Sequence, residues 1–220
     1  MKDKYKKILT EGLDLLINAV VILVLVMIIQ TWIIAPFDVS GSSMCDTLNN
    51  ISDECENGYG EKIIINEALY LMNDPARGDI VVFKAPEDQE KYFIKRVIGL
   101  PGETVKISEG KVYLSKEGED FTELEENYLN ETNKGNTKTY FSDLNTFVVP
   151  ENNYFLMGDN RRASTDSRSC FSGTISTDCK NHPEKAFVSR DLIRGKAWVI
   201  WWPLKNIRIL EKTSYSVDAK

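Results

Sequence analysis

Three segments of the chain carry residues that could do chemistry. Phe37–Leu48 reads FDVSGSSMCDTL, with Ser40, Ser42 and Ser43 close together. Tyr92–Thr104 reads YFIKRVIGLPGET, a basic pair inside an apolar run. Gly158–Arg168 reads GDNRRASTDSR, dense in hydroxyls and charges. A serine hydroxyl is a poor nucleophile until a base takes its proton. A lysine can be that base only when neutral, and burial favours the neutral form. Lys95 has apolar flanks in Phe93, Ile94, Val97 and Ile98. If Phe93–Ile98 is a strand, Lys95 shares a face with Phe93 and Val97. The competing reading lets Lys95 snorkel to the surface, and alternation alone does not choose. The other candidate base is the single histidine, His182. It stands in KNHPEK, a polar, proline-containing stretch that suits a surface loop.

Taken together, in this order and behind an apolar segment, the three segments resemble type I signal peptidases. These are membrane-bound serine proteases that remove signal peptides. RGDIVVF (Arg77–Phe83) resembles a fourth family box. The likeness runs from about Phe37 to Arg208, with Asn49–Glu61 and Ser169–Lys185 matching poorly. It implies that Ser43 is a nucleophile forming an acyl-enzyme and that Lys95 is its general base. It implies that the backbone N–H of Ser43 helps hold the oxyanion. Ser164 would orient the lysine amine, and Asp166 and Arg168 would pair to hold their loop. Asp159 and Asn160 read as turn formers first, with support for the site second. Arg77 and Asp79 read as structural. Phe37, Val39, Met44 and Ile94 would form shallow apolar pockets for small residues of an Ala-x-Ala type site. The substrate would add to Phe37–Met44 as an extended strand. The resemblance calls for no cofactor. Its implied partners are secretory preproteins and a lipid bilayer.

The sequence departs from that family at several places. Asp46 stands where a proline is usual, Cys45 where an aromatic or Met is frequent, and Gly41 where some members carry a serine. Losing the proline removes rigidity beside the nucleophile. A Cys45–Cys55 disulfide would restore it, and Cys170–Cys179 would close the insertion at 169–185.

The elements that must position these residues divide into three regions. Leu15–Ala35 holds no charged residue and only Asn18, Gln30 and Thr31 as polar ones. A helix of that length roughly matches a hydrocarbon core of about 30 Å. The run is too long for a cleavable signal peptide and ends in bulky Trp32, Ile33 and Ile34. Residues 15–35 are therefore expected to form one transmembrane helix. The tail 1–14 carries Lys2, Lys4, Lys6 and Lys7 and is expected to stay cytoplasmic. Residues 36–212 would then form an extracytoplasmic catalytic domain on a cell membrane, followed by a C-terminal tail at 213–220. The formal net charge of −6 and pI near 5.0 argue against a nucleic-acid binder. One histidine excludes a metal site built from several, so no metal is expected.

The body reads as mainly β. Its apolar runs are short and rich in β-branched and aromatic residues: KIII at 62–65, DIVVF at 79–83, and others at 93–98, 104–107, 111–114, 146–149, 154–157 and 198–202. Turn signals bound them. The resemblance implies the complex β fold shared by signal peptidases and LexA-like peptidases. Residues 115–145 are polar and acidic, which suits exposed hairpins and loops. Trp198, Trp201 and Trp202 fit a half-buried strand, or an aromatic surface resting on a bilayer. Four cysteines outside the cytoplasm suggest disulfides. Of three possible pairings the local ones, Cys45 with Cys55 and Cys170 with Cys179, are favoured. A zinc site and free thiols are the alternatives. Competing functions are a membrane-anchored β-rich binding module without protease activity, a Ser/Lys peptidase of another substrate class, and a Ser/His/Asp hydrolase using His182.

Overall fold

The apolar runs of the body are too short and too β-branched for helices, and they become strands. The computed structural model describes residues 2–51, 54–116, 118–141, 144–172 and 177–215, with side chains described outside 2–5, 7–10, 28–32 and 177–178. Helix α1 (Lys2–Trp32) leads into strand β1 (Ile34–Ser40). The helix expected at 15–35 therefore stops at Trp32, since Ile34 and Ala35 are already extended. Pro36 supplies the reason. It disfavours helical geometry in the residue before it. Its missing N–H is tolerated because β1 is an edge strand. The span also includes 28–32, whose side chains lie outside the described residues. Among the described residues no helix is long and apolar enough to cross a membrane. The apolar side chains of α1 from Leu15 to Met27 are exposed.

The principal sheet is antiparallel. It runs β1, β4 (Tyr59–Asn66), β13 (Ile193–Trp202), β5 (Ile80–Ala85), β6 (Asp88–Gly99), β11 (Asn153–Met157) and β12 (Val188–Ser189), and β14 (Arg208–Ile209) also pairs with β13. Strand β5 (IVVFKA) is central and buried at almost every position. Strand β4 alternates, with Ile63 and Ile65 facing the core. A second sheet runs β10 (Thr146–Val148), β7 (Thr104–Ser108), β8 (Lys111–Ser115) and β9 (Thr122–Glu123). Its inward residues Val105, Ile107, Val112, Leu114 and Phe147 pack on Ile98 and Phe155 of the first sheet. Short strands β2 (Asn50–Ile51) and β3 (Glu54–Cys55) form a small ribbon.

Two expectations need adjusting. Residues 115–145 are not wholly exposed, because Leu124 and Leu129 are buried and Glu126 pairs with buried Arg161. The region expected as a tail from 213 starts inside the fold: Tyr215 is buried and Thr213 Oγ1 accepts a hydrogen bond from Arg96. The half-buried strand expected around the three tryptophans is formed: on β13 Ile193, Ala197 and Ile200 face inward, and Trp198, Trp201 and Trp202 are exposed.

Both local disulfides are formed. Cys45–Cys55 ties the turn after β1 to β3, and Cys170–Cys179 closes the insertion. Closing a loop of that size stabilises by about 2–3 kcal/mol, mainly through the unfolded chain. The double substitution Cys45→Ser/Cys55→Ser is expected to lower unfolding stability by about that amount, read as a shifted midpoint in urea denaturation.

Candidate active site

Ser43 sits half-buried in the turn after β1. Several groups far apart in sequence hold that turn. Asn49 is fully buried; its Nδ2 donates to the carbonyls of Val39 (3.3 Å) and Gly41 (3.0 Å), and its N–H donates to Glu61 Oε2 (2.8 Å). Asn160 donates from its backbone N–H to Ser43 O and from Nδ2 to Ser42 O, both at 3.1 Å. Asp46 has φ +92°, a value no proline ring allows. The backbone at this position could not accept the residue usual in the family. Its carboxylate instead accepts hydrogen bonds from Nδ2 of Asn130 (2.8 Å) and Asn133 (3.1 Å).

Lys95 comes from β6, opposite Val81 of β5 in register. Its Nζ lies 2.8 Å from Ser43 Oγ and donates to the Ile94 carbonyl, also at 2.8 Å. The side chain is buried, with Nζ 5.5 Å from the Phe93 ring centroid. The snorkelling alternative therefore does not hold. Burial pushes the Lys95 amine down to about 8, although the Asp166 and Asp159 carboxylates pull the other way. A base with that pKa is substantially neutral at mildly alkaline pH.

The loop after β11 packs directly on this pair. A Cβ on Gly158 would stand 2.4 Å from Ser43 O and 2.1 Å from Ser164 Oγ, so only glycine fits. Asp166 accepts from Arg168 Nη2 (2.7 Å) and Nε (2.9 Å) and from the Gly158 N–H (3.0 Å), all within the interior. Burial alone would raise the Asp166 carboxyl, but Arg168 holds it below its ordinary range. Ser164 is buried beside Gly158, yet its hydroxyl makes no hydrogen bond to Lys95 in this arrangement. The loop places it next to the dyad without aiming it at the amine.

Asp159 is fully buried and accepts from Arg96 Nε (2.8 Å), Arg96 Nη2 (2.6 Å) and Thr47 Oγ1 (2.5 Å). Sequence reasoning missed Arg96 and Thr47. A signal for Arg96 existed: successive strand residues point to opposite faces. Two consecutive basic residues inside an apolar run that is covered on both sides must each be buried and partnered. Arg77 pairs with Glu103, and Asp79 accepts from Tyr70 and Lys196, so both serve the fold.

A cleft of about 460 Å³ opens at the dyad, with Phe37, Val39 and Ile94 on its walls. Met44 does not line it. The turn directs that side chain inward, where it packs with Leu48 and Ile63 in the core. His182 is exposed, lies near Glu184 Oε1 (3.0 Å), and does not line the cleft. Among the described residues no cluster of three or more His, Cys, Asp or Glu could hold a metal ion.

Comparison with known proteins adds to this geometry. A family described as "Signal peptidase, peptidase S26" matches residues 13–202. Signal peptidase I P of Bacillus subtilis subsp. natto is 32% identical over 200 residues, covering 88% of this chain and 98% of that protein. Signal peptidase I S of Bacillus subtilis strain 168 is 35% identical over 153 residues, covering 68% and 74%. A crystal structure of a signal peptidase I from Enterococcus faecalis V583, 30% identical, aligns with a TM-score of 0.39 over 56% of this chain and 97% of that one. Matched along nearly all of its length, the chain belongs to the signal peptidase family, peptidase S26.

Proposed function

We propose that the protein is a signal peptidase I that cleaves secretory preproteins after small residues through a Ser43–Lys95 dyad. The observation that carries this reading is the 2.8 Å approach of the buried Lys95 amine to the Ser43 hydroxyl. In its neutral form Lys95 takes the proton from Ser43 Oγ as Oγ attacks the scissile carbonyl. The resulting oxyanion is held by the Ser43 N–H. Collapse breaks the peptide bond, and the Lys95 ammonium gives its proton to the leaving amine. Lys95 then takes a proton from water, which attacks the acyl-enzyme, and gives that proton to Ser43 Oγ as the acyl–oxygen bond breaks. Asp166 and Arg168 hold the loop that presses Gly158 and Ser164 against the dyad. Asp159 supports the nucleophile turn through Thr47.

The apolar walls of Phe37, Val39 and Ile94 suit a methyl-sized side chain. The exposed apolar face of α1 from Leu15 to Met27 supports burial in a bilayer. The basic N-terminal tail supports a cytoplasmic N-terminus, with residues from about 36 onward on the extracytoplasmic side.

The test uses the full chain in detergent with a secretory precursor bearing an Ala-x-Ala site. Ser43→Ala and Lys95→Ala are expected to abolish cleavage, and His182→Ala to leave it nearly intact. Normal cleavage by Lys95→Ala, or a dead His182→Ala, would sink the dyad reading.

A further inference from the structure

Two aromatic residues that line the cleft, Phe37 and Tyr92, belong to a stack of side chains completed by Arg194. Phe37 from β1 meets Tyr92 from β6 edge-to-face, with ring centroids 5.2 Å apart. The guanidinium of Arg194, on β13, packs on both rings, with Cζ 5.3 Å from the Phe37 centroid and 5.6 Å from the Tyr92 centroid. Arg194 also donates to the Tyr92 hydroxyl (3.1 Å) and to Glu67 Oε1 (2.9 Å). One planar cation is therefore fixed by a carboxylate on one side while it clamps two rings on the other. Such stacking over aromatic faces suits arginine and not lysine.

Position gives this stack a role. Tyr92 lies two residues before Ile94 on the same face of β6, about 7 Å at roughly 3.3 Å per residue, and both line the cleft. In an extended substrate the third residue before the cut is likewise two steps beyond the first, so with the first residue beside Ile94 and the dyad the third reaches the stack. Tyr92 also lines a second cavity behind the stack, whose other walls include Lys84, Leu192 and Arg194. The Tyr92–Arg194 pair is thus a partition between the cleft and open space into which a larger side chain could extend.

Resting on the signal peptidase reading above, we propose that Arg194, anchored by Glu67, is a positioning residue for specificity. It holds Phe37 and Tyr92 as the end wall that limits side-chain size at the third residue before the cut. Removing the clamp frees Tyr92 to swing and joins the two cavities. A pocket wall of this kind governs discrimination of about tenfold or more for a few added methylenes.

The experiment measures kcat/KM of the full-length enzyme in detergent on two precursor peptides identical except for Ala or Leu at that third position. Arg194→Ala is expected to lower the Ala/Leu preference about tenfold, mainly through a lower KM for the Leu peptide. Arg194→Lys is expected to fall between it and the wild type. Glu67→Gln keeps side-chain size and removes only the anchoring charge. It is expected to shift the ratio in the same direction, and it reads the same quantity if Arg194→Ala fails to fold. A preference within twofold of wild type in the folded variants overturns the end-wall assignment while leaving the dyad reading intact. A wild-type enzyme that cleaves neither peptide overturns both.

Discussion

Replacing Lys95 by methionine is expected to abolish cleavage and, at the same time, to make the protein more stable. The first effect follows from losing the group that stands 2.8 Å from Ser43 Oγ to take its proton. Removing such a base costs on the order of 10⁴-fold or more in kcat. The second follows from linkage. In the folded protein the Lys95 amine is pushed down to about 8, below its ordinary value of 10.5, and burial is the largest cause. The unfolded chain therefore binds one more proton than the folded one between those two values, so wild-type stability rises with pH across that window. Below it the full penalty applies, about 3 kcal/mol by the usual conversion. Methionine fills similar volume without a charge to desolvate. Urea unfolding at pH 7 should show the variant more stable by a few kcal/mol. The advantage should shrink as pH rises from about 8 toward 10.5. The same proton sets activity in the wild type: kcat/KM should rise through about pH 8 and level off above it. A variant no more stable than wild type at pH 7 would show that Lys95 is buried without strain.

The strands of this fold were readable because their signal is local. KIII, DIVVF and YFIKRVIG alternate or run apolar over a few residues between turn formers, and that pattern needs no knowledge of the partner strand. Strand β1 was hidden by the same logic. The apolar run of α1 continues through Ile33, Ile34 and Ala35 without a break in composition, so the change from helix to strand is marked only by Pro36. Ser43 and Lys95 were legible as types, but 52 positions separate them, and only the sheet order brings them together. The supporting groups were less legible still. Asn49 with Glu61, Asp46 with Asn130 and Asn133, and Arg194 with Tyr92 are polar residues in unremarkable local contexts. Their importance lies in partners that the sequence does not place beside them. Met44 shows the converse: the family resemblance implied a pocket wall there, and the curl of the turn sends it into the core.

Asp159→Ala is expected to be the most damaging substitution outside the dyad. Arg96 is 2% exposed and carries a charge that water cannot reach. Two of its nitrogens bond the Asp159 carboxylate, a third donates to Gly78 O, and its Cζ lies 4.0 Å from the Tyr128 ring centroid. Removing Asp159 leaves that guanidinium in place without its counter-charge. Breaking a buried pair in this way costs about 3–5 kcal/mol, which for a chain of this size lowers Tm by roughly 10 °C. Activity should fall as well, because Thr47 loses its acceptor and the turn bearing Ser43 loses one tether. The double variant Arg96→Met/Asp159→Leu separates the two causes. It buries no charge, so its stability should return to near wild type. Its kcat should stay low, because Thr47 still lacks a partner. Thermal unfolding of the two variants, alongside kcat on an Ala-x-Ala precursor, checks both halves. If the double variant is as unstable as Asp159→Ala, packing around Tyr128 rather than the unpaired charge is what the pair secures. If its kcat recovers fully, Asp159 acts on the fold alone and the Thr47 tether does not position the nucleophile.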